Sequence, residues 1–238
     1  MLDAMDQGNR YSFTEMNEMK TLLAQKEGVS PDHILLGGGS GELLCLAGLG
    51  IGLEGGAVTS AFPVFRQLME YAQKFNARWD KVDLDDYLVH NLEGLATAVK
   101  TDTKILFLVN PNNPTGTILD SSKLKSFCLE MSKKTIVYSD EAYLEFLEPS
   151  QQVSMVELVR QGHNVIVSRT FSKIYGLAGL RIGYIVTKPE LIQKMAKYQT
   201  GTIVNQPALA AAKASLGDEE FMSMTRKLNT AARQHLFT

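Results

Sequence analysis

Short apolar runs, each followed by a longer amphipathic stretch, constrain this chain more than any other feature. Residues 33–36, 57–59, 104–109, 135–138, 165–167 and 181–186 form runs too short for helices. They are also too apolar throughout for a sheet with one wet face. Residues 78–82 make a weaker run of the same kind. Residues 42–49, 64–75, 92–99 and 122–132 have helical spacing between them, and further helices are expected from Pro189, from Pro207 and over 219–237. Asp120 or Ser121 offers an N-cap side chain for the helix at 122. Strands buried on both faces and separated by helices predict an α/β fold: a three-layer, doubly wound, mostly parallel sheet.

The chain length, 238 residues, is that of one large domain or a domain and a half. Hydrophobic residues make up 45%, charged residues 21%, and the net charge is −2, a balance that offers no basic surface for nucleic acid. No apolar run approaches the roughly 20 residues of a membrane-spanning helix. The acidic start Met1-Leu2-Asp3-Ala4-Met5-Asp6 is not a secretory signal. Cys45 and Cys128 sit in helical patterns without CxxC spacing, as reduced core thiols would, so a cytoplasmic location is expected. No metal-ligand set is assigned.

Open parallel sheets bind ligands at the carboxyl ends of their strands. The residues after each run are therefore where a site is sought. After 33–36 comes Gly37-Gly38-Gly39-Ser40-Gly41-Glu42, and after 104–109 comes Asn110-Pro111-Asn112-Asn113-Pro114-Thr115-Gly116. After 135–138 comes Ser139-Asp140-Glu141-Ala142-Tyr143, and after 165–167 comes Ser168-Arg169-Thr170-Phe171-Ser172-Lys173. One polar loop means little. Four at one edge predict a shared pocket.

Each group has a plain reading beside its chemical one. Residues 37–41 let backbone approach closely and then open a helix, which suits an anion such as phosphate, or else they make a tight turn with a serine cap. The glycine spacing does not fit a dinucleotide fingerprint, because Leu44 or Glu42 falls where the third glycine belongs. Asp140 serves as a helix cap for the residues after it, or it meets a cation at a buried strand end. Lys173 is a solvated lysine, or an amine poised to form a Schiff base with a carbonyl. Arg181, at the head of a run taken as buried, is expected to meet an anion.

The motifs Asn113-Pro114-Thr115-Gly116, Asp140-Glu141-Ala142-Tyr143 and Ser172-Lys173 with Arg181 resemble the fold-type I, class I/II aminotransferases. These enzymes depend on pyridoxal 5'-phosphate. The spacings agree: 27 residues from Asn113 to Asp140, 33 from Asp140 to Lys173 and 8 from Lys173 to Arg181. The stretch 168–183 is similar to the histidinol-phosphate aminotransferase branch in particular. The resemblance covers nearly the whole chain.

It implies that Lys173 holds the cofactor and shuttles a proton, and that Asp140 pairs with the protonated ring nitrogen. Asn113 and Tyr143 would bond the ring's phenolate oxygen. Gly39, Ser40 and Gly41, with Thr170, Ser172 and Arg181, would hold the phosphate. Phe65 stands where an aromatic ring stacks on the cofactor, or is a core residue of the helix at 64–75. Tyr11 matches a tyrosine that reaches the neighbouring subunit's phosphate in a homodimer, or is a surface tyrosine. The Asn113–Pro114 bond is expected to be cis.

The resemblance further implies an amino transfer between an amino acid or amine, histidinol phosphate among them, and a 2-oxo acid. A decarboxylase or lyase of the same fold would share these cofactor residues, and an inactive relic is a further reading. Residues 1–217 correspond to the cofactor-binding large domain. Residues 218–238 correspond to the start of a helix leading to a C-terminal small domain. Against the family the chain reads as truncated at both ends, which predicts cofactor binding with weak transamination. Gly41 stands where histidinol-phosphate enzymes often carry an acidic residue, which leaves the substrate open.

Overall fold

The computed structural model describes residues 2–201 and 204–236. Helices α1 (Leu2–Met5) and α2 (Phe13–Glu27) lead into β1 (Ile34–Gly37), α3 (Ser40–Glu54), β2 (Ala57–Phe62), α4 (Gln67–Gln73) and β3 (Arg78–Asp83). Then come α5 (Leu92–Ala98), β4 (Thr103–Val109), α6 (Ser121–Met131), β5 (Ile136–Asp140), α7 (Val156–Arg160) and β6 (Val165–Thr170). The chain continues with β7 (Gly183–Val186), α8 (Pro189–Ala196), α9 (Gln206–Ser215) and α10 (Glu219–Leu236). Phe237, the last residue of the helix expected from the sequence, lies outside the described residues.

The strands make one sheet in the order β1-β7-β6-β5-β4-β2-β3. Pairs β2–β3, β2–β4, β4–β5 and β5–β6 are parallel, while β7 is antiparallel to both β1 and β6. Alternate residues of each central strand feed two separate cores. Leu106, Leu108, Val137, Val165 and Val167 pack with residues of α2, α6, α7 and α9 on one face. Ile105, Phe107, Tyr138, Ile166 and Ile185 pack with α3, α4 and α8 on the other. This is the three-layer, doubly wound, mostly parallel arrangement, and it explains why both faces of these runs are apolar.

Three details differ from the reading of the sequence alone. Strand β7 begins at Gly183 rather than Arg181, and Arg181 is exposed, not buried. The chain between β6 and β7 holds only a short 3₁₀ turn, Ala178–Leu180, rather than the crossover helix that a parallel return requires. The head of β7 therefore stands at the same edge as the end of β6. Finally, α4 begins at Gln67 rather than at 64, so Phe65 lies in the turn out of β2. Asp120 takes the cap of α6, accepting from the Ser122 and Lys123 N–H groups at 3.1 and 2.9 Å.

Gly183 lets the glycine loop settle on the sheet. A Cβ there would stand 2.6 Å from the Ser40 nitrogen and 2.9 Å from both the Arg169 carbonyl oxygen and the Gly39 carbonyl carbon. All three are backbone atoms and cannot swing away. Gly183→Ala is expected to destabilise the fold by about 2 kcal/mol or more. A urea midpoint equal to that of the parent would refute this.

Candidate functional site

Polar side chains converge at the carboxyl edge of the sheet. Val109 ends β4, Asp140 ends β5 and Thr170 ends β6, and with the loops beyond them they enclose a cavity of about 210 Å³. Ser40, Gly41, Phe65, Asn113, Asp140, Tyr143, Thr170, Ser172, Lys173 and Arg181 all line it. Of the residues singled out in the sequence, Gly39 and Tyr11 do not. Gly39 lies behind the wall, with φ +91°, and a Cβ on it would overlap the Arg181 guanidinium. Tyr11 is 78% exposed, its ring against Phe13 with centroids 5.9 Å apart.

A larger cleft of about 520 Å³ opens between α3 and α8 at the opposite edge. Lysines 104, 133, 134, 188 and 194 line an aliphatic floor there. That cleft gathers lysines with Glu54 and Glu190 but no guanidinium among the described residues, whereas the smaller cavity brings together an acid, an amine and a guanidinium.

Asp140 is buried, 3% exposed. Ser168, its register partner on β6, donates a hydroxyl to Oδ1 at 2.8 Å. Burial pushes the carboxyl up to about 6, although the Ser168 hydroxyl, the Ala142 N–H and the Lys173 charge pull the other way. A carboxylate held this way is short of a cation. Tyr138 is buried two residues earlier on the same strand face, its phenol raised far above its ordinary range by burial and by Asp140.

The Lys173 Nζ stands over the Tyr143 ring, 5.1 Å from its centroid. The Tyr143 hydroxyl accepts from Asn113 Nδ2 at 3.2 Å. The Asn113–Pro114 bond is cis, as are Phe62–Pro63 and Asn110–Pro111.

The remaining wall favours an anion. The α3 N-terminus presents backbone N–H groups at Ser40 and Gly41, with the helix dipole behind them. Arg181 has left-handed backbone, φ +58°, and its Nη1 donates to the Ser172 hydroxyl at 3.3 Å and the Ala178 carbonyl at 2.9 Å. Thr170 Oγ1 accepts from the Ser172 N–H at 3.1 Å.

Gln67, Val109, Ala142 and Ala178 also line the cavity. Gln67 is the one with chemistry: its Nε2 donates to Cys45 Sγ at 3.4 Å, and its amide covers Gly41. Placing the start of α4 at 64 hides Gln67 inside a helix instead of at its first residue.

An acid at the floor, an amine beside an aromatic ring and an anion-receptive rim define a doubly wound α/β protein with one small polar pocket at its switch edge. Residues 2–238 match the family model described as aminotransferase class I and II, and the chain belongs to that family. It is similar to histidinol-phosphate aminotransferase 1 of Cupriavidus pinatubonensis, 40% identical over 227 residues, which are 95% of this chain and 60% of that protein. It is also 39% identical over 236 residues to histidinol-phosphate aminotransferase 2 of Ralstonia nicotianae, covering 99% of this chain and 63% of that one. Among solved structures, the histidinol-phosphate aminotransferase of Sinorhizobium meliloti in complex with pyridoxal-5'-phosphate superposes with a TM-score of 0.90 at 29% identity, covering 98% of this chain and 63% of that one. The chain thus spans about 60–63% of the length of these relatives. No helix among the described residues is long and apolar enough to cross a membrane.

Proposed function

We propose that the pocket binds pyridoxal 5'-phosphate and serves the transfer of an amino group between an amino acid or amine, histidinol phosphate among the candidates, and a 2-oxo acid. The observation that carries the reading is that Asp140, Lys173 and Arg181 line one cavity sized for a single small molecule. The donor set suits this cofactor. The buried Asp140 carboxyl needs a cation, which a protonated ring nitrogen would be, and the glycine-lined α3 N-terminus with Arg181 needs an anion, which a phosphate would be. When bound, the cofactor would supply an aldehyde that takes up an amine and a ring that withdraws electrons.

The chain supplies position and charge. Lys173 offers the only amine lining the pocket among the described residues, both to hold the aldehyde and to carry a proton at Nζ. Asp140 stays ionised once a cation faces it, since the partner charge offsets the burial that raises it. Asn113 and Tyr143 hold a shared hydrogen bond that a ring oxygen could join. Ser40, Gly41, Thr170, Ser172 and Arg181 grip the phosphate, Gly39 giving Arg181 room to do so. Phe65, 38% exposed at the cavity, offers a ring face.

The fuller reading is a cytoplasmic homodimer in which Tyr11 reaches the partner's site, with 1–217 as the cofactor-binding domain and 218–238 starting the connection to a small domain. The exposure of Tyr11 supports the first part. The names of the relatives favour amino transfer over decarboxylation.

Borohydride reduction of the protein with pyridoxal phosphate, followed by peptide mapping, tests the reading. The expected result is one pyridoxyl adduct, on Lys173. An adduct on another lysine, or none, removes the proposal.

A further inference from the structure

Behind the pocket lies a buried charge network that the proposed chemistry does not use. Asp140 lines the cavity and ends β5, paired in register with Ser168 of β6. Arg169, the next residue of β6, takes the opposite face, and Glu141, the first residue past β5, meets it there. Arg169 is 7% exposed. Its Nη2 pairs with Glu141 Oε2 at 3.0 Å and its Nη1 with Glu145 Oε1 at 2.7 Å. Glu141 Oε1 accepts from the Met155 N–H at 2.7 Å, and the Glu141 N–H donates to the Ser168 carbonyl at 3.0 Å. The Glu145 carbonyl accepts from Arg226 of α10 at 3.2 Å.

One guanidinium therefore grips both ends of the segment 141–145, whose middle residue is Tyr143. Buried ion pairs add little stability over apolar packing of the same shape, but they fix geometry where both charges must meet. A planar guanidinium fork holds two carboxylates in fixed directions, which a lysine ammonium on a flexible stem does poorly. We infer that Arg169 is a positioning residue: with Glu141 and Glu145 it staples the loop that presents the Tyr143 hydroxyl to Asn113 and to the pocket. The inference rests on the cofactor reading above.

The test uses the full chain with pyridoxal phosphate and follows the pH midpoint of the bound cofactor's visible absorbance. A ring oxygen that loses a donated hydrogen bond becomes more basic, so Tyr143→Phe should raise that midpoint. Arg169→Lys and Glu145→Gln should each raise it too, by about 0.5 to 1 unit, and should add almost nothing in the Tyr143→Phe background. Glu145→Gln leaves the Arg169–Glu141 pair in place, so it serves if Arg169→Lys fails to fold. Staple variants that fold and titrate like the parent overturn the inference, as do shifts that add in full to that of Tyr143→Phe. A parent chain with no visible band, or one unmoved by Tyr143→Phe, overturns the cofactor reading instead and takes the inference with it.

Discussion

Asp140→Asn should make the cofactor-free chain more stable at pH 8 while crippling its hold on pyridoxal phosphate. Burial raises the Asp140 carboxyl from 3.8 to about 6 in the folded chain. A folded carboxyl with a raised pKa binds more protons than its unfolded counterpart between those two values, so stability falls as pH rises through that window and levels off above about 6. The shift of about two units corresponds to roughly 3 kcal/mol, taken as an upper bound. Asparagine keeps an oxygen for the Ser168 hydroxyl but carries no charge, so its stability should be flat across the same window. Urea unfolding at pH 4, 6 and 8 reads both curves, which should meet near pH 4 and diverge toward pH 8. Cofactor reverses the order, because the variant has no anion for the ring nitrogen. Removing one partner of a buried charge pair costs about 3–5 kcal/mol, hence a loss of affinity on the order of 10²-fold or more. Equal affinities, or a parent whose stability does not fall between pH 4 and pH 6, would sink the account of Asp140.

What the sequence made legible was the set of edges. The runs at 104–109, 135–138 and 165–167 are apolar on both faces once past Lys104 and Thr135, the first residues of the first two. A strand covered on both faces demands this, and the polar clusters after the runs mark one rim. Less legible was whatever depends on strand direction or side-chain face. The reversal of β7 has a local signal, because too few helix-forming residues come after Lys173 for a crossover, but an apolar run reads the same in either direction. Arg181 illustrates the consequence: it reaches the rim from the head of an antiparallel strand and stays exposed. Gln67 was hidden by a helix boundary placed three residues early. The Glu141–Arg169–Glu145 staple was open to a period-two reading, since Ser168 and Thr170 share a face and Arg169 must take the other. That step needs β5 and β6 to be neighbours in register, which the order of the runs does not specify.

Lys173→Ala and Lys173→Arg together separate the amine's chemistry from its charge. Both should abolish the borohydride-stable adduct, and both should slow the single-turnover conversion with an amino donor by about 10³- to 10⁴-fold, a loss in the range of a missing nucleophile and proton carrier. Alanine removes charge, nucleophile and base at once, which alone would prove little. Arginine keeps the charge and most of the length, yet its guanidinium stays protonated and cannot give up a proton to act as nucleophile or base. No other lysine lines the cavity among the described residues, so no second amine stands ready to substitute. Retention of cofactor is expected in both variants, because Arg181, Ser172, the α3 N-terminus and Asp140 are untouched. Equilibrium dialysis should therefore show binding that is weakened but present, while chemistry is lost. If Lys173→Arg kept more than about a tenth of the parent rate, the side chain at 173 would be acting as a cation, and the pocket would have to find its amine elsewhere.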